Sequence, residues 1–187
     1  MTRIAVFGTG SWGTAFAIVL ADAGNEVTLW GRRRELCEVI DRQHHNPDYL
    51  PGIVLPAGIR ATADPTRAAD GGDIVVLAVP SQTLRENLSA WTGSLSPGAV
   101  LVSLMKGIEL GTTRRMSEIV AELTGAGPER VAVVSGPNLA WEIAARQPAA
   151  SVVACADESV AEKLQLAFMT PYSVSYTHLT LPTTPYV

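Results

Sequence analysis

The sequence predicts an α/β fold built on a doubly wound, mostly parallel sheet. Short and nearly continuous apolar segments recur along the chain, and they alternate with longer segments whose apolar residues have helical spacing. The apolar segments are rich in valine, isoleucine and leucine, as is typical of strands buried on both faces. The 187 residues, 47% of them hydrophobic, suffice for one core of ordinary size.

The first elements form a strand, a glycine turn and a helix. Arg3–Phe7 is an apolar segment that ends at a glycine, which predicts a buried strand. Residues 11–23 repeat apolar side chains at helical spacing until Gly24 ends the pattern. A second strand, Glu26–Trp30, and a second helix, residues 35–43, repeat the arrangement.

The later elements alternate in the same way after a proline-bearing loop at residues 44–56. The pattern predicts strands at 59–63, 73–79, 100–104, Val131–Ser135 and 151–155. It predicts helices at 82–91, 113–123, 139–145 and Glu158–Phe168.

The last 15 residues, SVSYTHLTLPTTPYV, depart from this pattern. They are rich in threonine and contain two prolines, and their only titratable side chains besides tyrosine come from one histidine. Two interpretations stay open: a terminal strand followed by a disordered tail, or foreign sequence joined to the domain. The predicted domain therefore spans residues 1–172, and residues 173–187 are set apart as a tail.

Charge and cysteine content argue against several classes of protein. A formal net charge of -4 does not favour a nucleic-acid-binding surface, which is usually basic. Cys37 and Cys155 have neither a metal-ligand nor a disulfide spacing. No segment approaches 18 consecutive apolar residues, and the apolar N-terminal segment is too short for a signal peptide. We therefore expect a cytoplasmic protein that binds no metal or nucleic acid and does not insert into a membrane.

A glycine motif stands at the first junction between strand and helix. Gly8, Gly10 and Gly13 form G-x-G-x-x-G, and this context is what makes the motif informative. The first glycine permits a tight turn, the second lets a pyrophosphate approach the backbone, and the third allows close packing of helix on strand. The motif predicts a Rossmann-type dinucleotide-binding domain over residues 1–172.

Arginines follow the second predicted strand, where an NAD-selective domain would carry an acidic residue about 20 residues after the glycines. This position holds Gly31 and then Arg32, Arg33 and Arg34. Guanidinium groups suit a 2′-phosphate through charge-assisted hydrogen bonds. The sequence therefore favours NADP(H) as cofactor, with NAD(H) as the alternative; a solvated helix start is the other interpretation of the arginines.

Residues that follow the other strands are candidates for substrate contact, because ligands of such sheets bind beyond the carboxyl ends of the strands. The segments are AVPSQ (78–82), SLMKGIE (103–109) and SGPNLAWE (135–142). Lys106 is one of only two lysines in the chain. Gly136 offers exposed backbone groups, and the amide of Asn138 can donate or accept a hydrogen bond.

Six motifs in this order resemble the bacterial NAD(P)-dependent glycerol-3-phosphate dehydrogenases: GTGSWGTA, WGRR, HNPDYLPG, AVPSQ, KGIE and SGPNLAWE. The resemblance covers residues 1 to about 172. It implies reduction of dihydroxyacetone phosphate to sn-glycerol 3-phosphate, a precursor in glycerophospholipid synthesis, and a homodimer for complete members. It implies cofactor contacts from Ser11, Trp12, Arg32, Arg33, Tyr49, Lys106 and Ala140. It implies substrate contacts from Lys106, Gly136 and Asn138, although such enzymes commonly have serine or threonine at the position of Asn138.

The resemblance also implies a second, helical domain that supplies an acid/base lysine, and no matching segment follows residue 172. The expectation is a cofactor domain that binds dinucleotide but is catalytically incomplete, with its catalytic group unassigned. Two alternatives stay open. One is another NADP-dependent dehydrogenase of small substrates, such as a ketopantoate reductase or a β-hydroxyacid dehydrogenase, which KGIE and SGPNLAWE argue against. The other is a non-catalytic NADP(H)-binding module.

Overall fold

A computed structural model describes residues 2–178 of the protein, which contain ten strands and seven α-helices. The strands are β1 (Arg3–Phe7), β2 (Glu26–Trp30), β3 (His45–Asn46), β4 (Leu50–Val54), β5 (Ile59–Thr62), β6 (Ile74–Leu77), β7 (Val100–Ser103), β8 (Val131–Ser135), β9 (Ala149–Cys155) and β10 (Ser173–His178). The helices are α1 (Ser11–Asp22), α2 (Arg34–Gln43), α3 (Pro65–Ala69), α4 (Leu84–Trp91), α5 (Met116–Thr124), α6 (Ala140–Ala144) and α7 (Glu158–Phe168). Within this part of the chain no helix is long and apolar enough to cross a membrane.

Eight of these strands form one sheet in the order β10-β9-β8-β7-β6-β1-β2-β5. All neighbouring pairs are parallel except β8 and β9. The chain builds outward from β1 through β2 to β5, then crosses to β6 and builds outward in the opposite direction. The predicted doubly wound, mostly parallel sheet is thus confirmed, and its strand order reverses between β1 and β6. At such a reversal the carboxyl ends of the strands leave a crevice.

Helices cover both faces of the sheet and bury two apolar clusters. Alternate residues of β1 divide between the clusters: Ile4 and Val6 face one, and Ala5 and Phe7 face the other. The first cluster includes buried side chains of α1, α2, α6 and α7, and the second those of α3, α4 and α5. This three-layer packing explains why the strands are apolar at successive positions.

Two parts of the chain differ from the sequence-based expectation. Residues 44–56, expected to be irregular, contain an antiparallel hairpin of β3 and β4. β3 has only two residues, and β4 contains Pro51 and Gly52, which are typical of a turn and not of a strand. The short helix α3 was also not predicted, although Asp64 caps it by accepting hydrogen bonds from the backbone N–H groups of Thr66 and Arg67.

The sheet extends beyond the predicted boundary at residue 172. Ser173–His178 forms β10, which pairs in parallel with β9. Ser173 and Ser175 are buried, while Val174 and Tyr176 are exposed. Ser173–His178 therefore belongs to the sheet, and the rest of the predicted tail, residues 179–187, lies outside the described part of the chain.

Candidate dinucleotide site

The glycine turn lies where β1, β2 and β6 meet. Gly8 has a φ of +136°, and a Cβ atom there would lie 2.3 Å from the carbonyl oxygen of Ala78. Its N–H donates to the carbonyl of Trp30 at 2.9 Å. Both the backbone conformation and the close approach of Ala78 therefore require glycine at this position.

The other two glycines of the motif have opposite surroundings. A Cβ atom at Gly13 would lie 2.1 Å from the carbonyl oxygen of Gly8, so this glycine lets α1 pack against the turn. A Cβ atom at Gly10 would meet nothing within 4 Å. The backbone at Gly10 therefore borders open space, which is the space that a pyrophosphate would need.

The N-terminus of α1 faces this space without a competing anion. Gly10 is the N-cap residue and provides no side-chain cap, and the first turn of the helix has no acidic residue. The first N–H groups of a helix have no partner within the helix, and the helix dipole adds partial positive charge there. This arrangement fits a dinucleotide pyrophosphate.

Asn46 fixes the glycine turn from the hairpin, and sequence reasoning missed it. Its fully buried amide Nδ2 donates to the carbonyl of Thr9 at 2.9 Å and to the hydroxyl of Thr14 at 2.8 Å. The hydroxyl of Ser11 donates to the carbonyl of Tyr49 at 3.1 Å, which is a second link between turn and hairpin. Asn46 lies in the HNPDYLPG motif of the resemblance, but its Asn-Pro pair marks a turn and does not indicate a tertiary contact.

The arginines lie at the start of α2, next to the glycine turn. Gly31 allows this close approach, because it has no side chain: a Cβ atom there would lie only 2.6 Å from the Thr9 side chain. The guanidinium of Arg33 donates to Asp48 at 2.6 Å, and its Cζ lies 5.7 Å from the centre of the Tyr49 ring. The hydrogen bond to Asp48 raises the pKa of Arg33. The side chain of Arg32 is exposed and has no ion-pair partner among residues 2–178.

Lys106 and Gly136 come together beyond β7 and β8. The Lys106 ammonium donates to the carbonyl of Gly136 at 3.1 Å, and both residues are at least partly accessible. A Cβ atom at Gly136 would lie 2.7 Å from the carbonyl oxygen of Ala150, so glycine is required there. The amide of Asn138 donates to the Ser151 hydroxyl at 2.8 Å. That bond holds the Asn138 side chain toward β9.

The loop that carries Lys106 is fastened to the start of α4. The Gln82 amide donates to the carbonyl of Ile108 at 2.8 Å and accepts from the N–H of Leu110 at 3.0 Å. Arg85 forms a two-pronged ion pair with Glu109, with N–O distances of 2.8 and 3.0 Å. This pair, helped by the Thr112 hydroxyl, lowers the pKa of Glu109 to about 2. Gln82 belongs to the AVPSQ segment, which the sequence suggests for substrate contact, and its bonds to the Lys106 loop give it a positioning role instead. Arg85 was not singled out from the sequence, because its partner Glu109 lies 24 residues away.

The site residues thus form two groups at one edge of the sheet. The first contains the glycine turn with Ser11 and Trp12, the arginines and Tyr49, and the second contains Lys106, Gly136, Asn138 and, as the first residue of α6, Ala140. No hydrogen bond or ion pair among the described residues joins Lys106 to the arginines. A dinucleotide that lies across the reversal between β1 and β6 would extend from the first group toward the second.

Comparison with known proteins agrees with this architecture. A glycerol-3-phosphate dehydrogenase [NAD(P)+] of Streptomyces griseus is 62% identical over 176 residues, which are 94% of this chain and 52% of that protein. The crystal structure of a glycerol-3-phosphate dehydrogenase from Coxiella burnetii superimposes with a TM-score of 0.88 at 30% identity, over 95% of this chain and 54% of the other. The structure of glycerol-3-phosphate dehydrogenase from yeast superimposes with a TM-score of 0.83 at 28% identity, over 94% of this chain and 56% of the yeast chain. The chain spans about half the length of the curated relatives it matches.

The match to a protein family is equally extensive. Residues 3–161 match the family described as the N-terminus of NAD-dependent glycerol-3-phosphate dehydrogenase. This range runs from β1 into α7 and includes both groups of site residues. The chain therefore belongs to the NAD-dependent glycerol-3-phosphate dehydrogenase family, whose N-terminal region it contains.

Proposed function

We propose that this chain is the dinucleotide-binding part of an enzyme that reduces dihydroxyacetone phosphate to sn-glycerol 3-phosphate with NADPH or NADH. The observation that carries the proposal is the open space at Gly10 beside an uncapped N-terminus of α1, with arginines next to it. Relatives that share more than half of its residues are named for this activity with NAD(P)+. Because those relatives are about twice as long, the activity is proposed for the protein that contains the whole site.

The residues of the first group would bind the cofactor. Backbone N–H groups at the start of α1, including those of Ser11 and Trp12, would hold the pyrophosphate. Arg32 and Arg33 would contact the adenosine ribose and a 2′-phosphate, and Tyr49 would offer an aromatic surface beside them. The bound nicotinamide would supply the hydride for carbonyl reduction.

The residues of the second group would position the substrate. The Lys106 ammonium carries a positive charge and three N–H donors on a flexible side chain, which suits it to bind a phosphate or a polarised carbonyl oxygen. The ammonium donates a hydrogen bond to the Gly136 carbonyl, and this bond orients the Lys106 side chain across the carboxyl ends of the strands. Asn138 would contact substrate through its backbone, since its side chain is bonded to Ser151. The proton donor for the product hydroxyl is unassigned.

Two measurements on the purified chain test the proposal. Fluorescence titration should show saturable binding of NADPH and NADH, and failure of both to bind would contradict the assignment of the glycine turn. Saturation-transfer NMR should then show dihydroxyacetone phosphate binding in the presence of NADP+, and Lys106→Met should weaken it. Dinucleotide binding by this chain, with no binding of dihydroxyacetone phosphate even after the chain is joined to the remaining half of the Streptomyces griseus relative, would instead favour a non-catalytic NADP(H)-binding module.

A further inference from the structure

The three arginines at the start of α2 differ in their partners. Arg33 is held on two sides, by the Asp48 carboxylate and by the Tyr49 ring. Arg34 pairs with Glu38 one turn further along the helix, at 3.2 Å. Arg32 has no ion pair within the described part of the chain. The uncompensated positive charge beside the glycine turn therefore comes mainly from Arg32.

Asp48 is held beside these arginines by more than its ion pair. Asp48 and Tyr49 form part of the turn between β3 and β4, whose other contacts reach the glycine turn. Ser11 bonds to the Tyr49 backbone, and the buried amide of Asn46 bonds to the Thr9 backbone. The hairpin therefore places a carboxylate at the ribose end of the predicted cofactor position. A 2′-phosphate bound there would be attracted by guanidinium groups and repelled by this carboxylate.

We propose that Asp48 is a specificity-determining residue that limits the preference of this chain for NADPH over NADH. The inference rests on the proposed cofactor function. Asp48 offsets the charge of Arg33, holds its guanidinium against Tyr49, and repels a 2′-phosphate. NADH has a ribose hydroxyl in place of the phosphate, so the charge of Asp48 affects its binding little. With Asp48 in place, the affinities for NADPH and NADH are therefore closer to each other than they would be if the three arginines stood there without this carboxylate.

The test compares Asp48→Asn with wild type in titrations of NADPH and NADH. Asparagine has the same shape without the charge. For a half-exposed carboxylate near a doubly charged phosphate, screened by water, we expect about 3–10-fold tighter NADPH binding and a change of less than about twofold for NADH. The gain should shrink as salt is added, because salt screens exposed charges. The fragments 2′,5′-ADP and 5′-AMP should show the same contrast, which would locate the effect at the adenosine end.

Two variants control for charge and for fold. Glu38→Gln removes one negative charge and frees Arg34, yet it should change the ratio of the two affinities by less than about twofold, because the electrostatic effect falls with distance. Asp48→Glu keeps the charge and should keep the wild-type ratio, while Asp48→Ser should repeat the effect of asparagine.

The outcomes separate this inference from the proposed function. If wild type binds neither dinucleotide, the proposed function fails. If wild type binds both and Asp48→Asn leaves the ratio unchanged, or weakens NADPH in a protein with a native circular dichroism spectrum, Asp48 does not limit specificity and the inference is overturned. An equal gain from Glu38→Gln would attribute the effect to net charge and would also overturn it.

Discussion

At the scale of single residues, the two arginines that follow Gly31 should both contribute to NADPH binding. A hydrogen bond to a charged group contributes about 1.5–3 kcal/mol, which corresponds to roughly a 10–100-fold change in affinity. We expect Arg32→Ala and Arg33→Ala each to weaken NADPH binding by roughly this factor, and loss of Arg33 also leaves the carboxylate of Asp48 without its partner. Titrations with NADH should change little for either variant. Equal weakening of both cofactors would contradict contact with the 2′-phosphate.

Two glycines of the same motif should respond differently to substitution. Gly10→Val should abolish dinucleotide binding and leave the fold intact, because its side chain would occupy open space at an ordinary φ of -68°. Gly13→Val should instead destabilise the fold, since a Cβ atom 2.1 Å from the Gly8 carbonyl forces α1 away from the turn. Circular dichroism melting and NADPH titration measure the two effects. A folded Gly10→Val protein with wild-type affinity would refute the pyrophosphate assignment.

At the scale of elements, the Lys106 loop depends on a side chain from a different part of the chain. Gln82 makes two backbone hydrogen bonds to this loop, as a neighbouring strand would. Gln82→Ala should therefore speed amide hydrogen exchange at Leu110 and weaken substrate binding more than NADPH binding. Gln165→Ala is the matched control, because the Gln165 amide donates to the Ser175 carbonyl in β10 and does not touch the loop. Unchanged exchange at Leu110 in the Gln82 variant would show that other contacts hold the loop.

The ion pair between Arg85 and Glu109 should make stability depend on pH in a defined range. The pKa of Glu109 falls from an ordinary value of 4.5 to about 2 in the folded protein. Its stabilising contribution is therefore complete above about pH 4.5 and is lost as the pH falls toward 2. Glu109→Gln should lower the urea midpoint at pH 7, and its difference from wild type should shrink toward pH 3. Glu129→Gln, whose carboxylate is 3.9 Å from Arg130, should have little effect at either pH. A difference that does not change with pH would mean that packing, not charge, explains the Glu109 effect.

Elements with strong local signals could be predicted from the sequence. Strands β1, β2 and β8 have the predicted bounds, since each is a short, mostly apolar or β-branched segment followed directly by a glycine. The hairpin of β3 and β4 could not be predicted, because its short strands are stabilised by contacts of Asn46 with residues more than 30 positions away. The same holds within the site. Spacing pointed to the glycines and the arginines, whereas the partners Asp48, Gln82 and Arg85 become visible only when the chain is folded.

At the scale of the whole molecule, the first group of site residues has all the features expected of a cofactor site, while the second group has few that could bind substrate. The first group is complete in the sense that a helix N-terminus, a glycine turn and a guanidinium cluster all meet at one place. In the second group Lys106 is the only cationic side chain assigned, and it is a donor in a hydrogen bond to Gly136. Cofactor binding should therefore depend on the residues described here, while turnover should need more protein around the substrate.

The 187-residue polypeptide on its own should bind cofactor without turning substrate over. We expect it to bind NADPH but to oxidise it negligibly with dihydroxyacetone phosphate, since general acid–base catalysis typically contributes about 10²–10⁴-fold and no proton donor is assigned. Enclosure and orientation of the substrate would add further factors. Replacing residues 179–187, which follow β10, with the remaining half of the Streptomyces griseus relative should restore turnover, measured by loss of NADPH absorbance. The same fusion with Lys106→Met should bind NADPH yet turn over far more slowly. Robust activity of the unfused chain would show that Lys106, or a group not assigned here, transfers the proton.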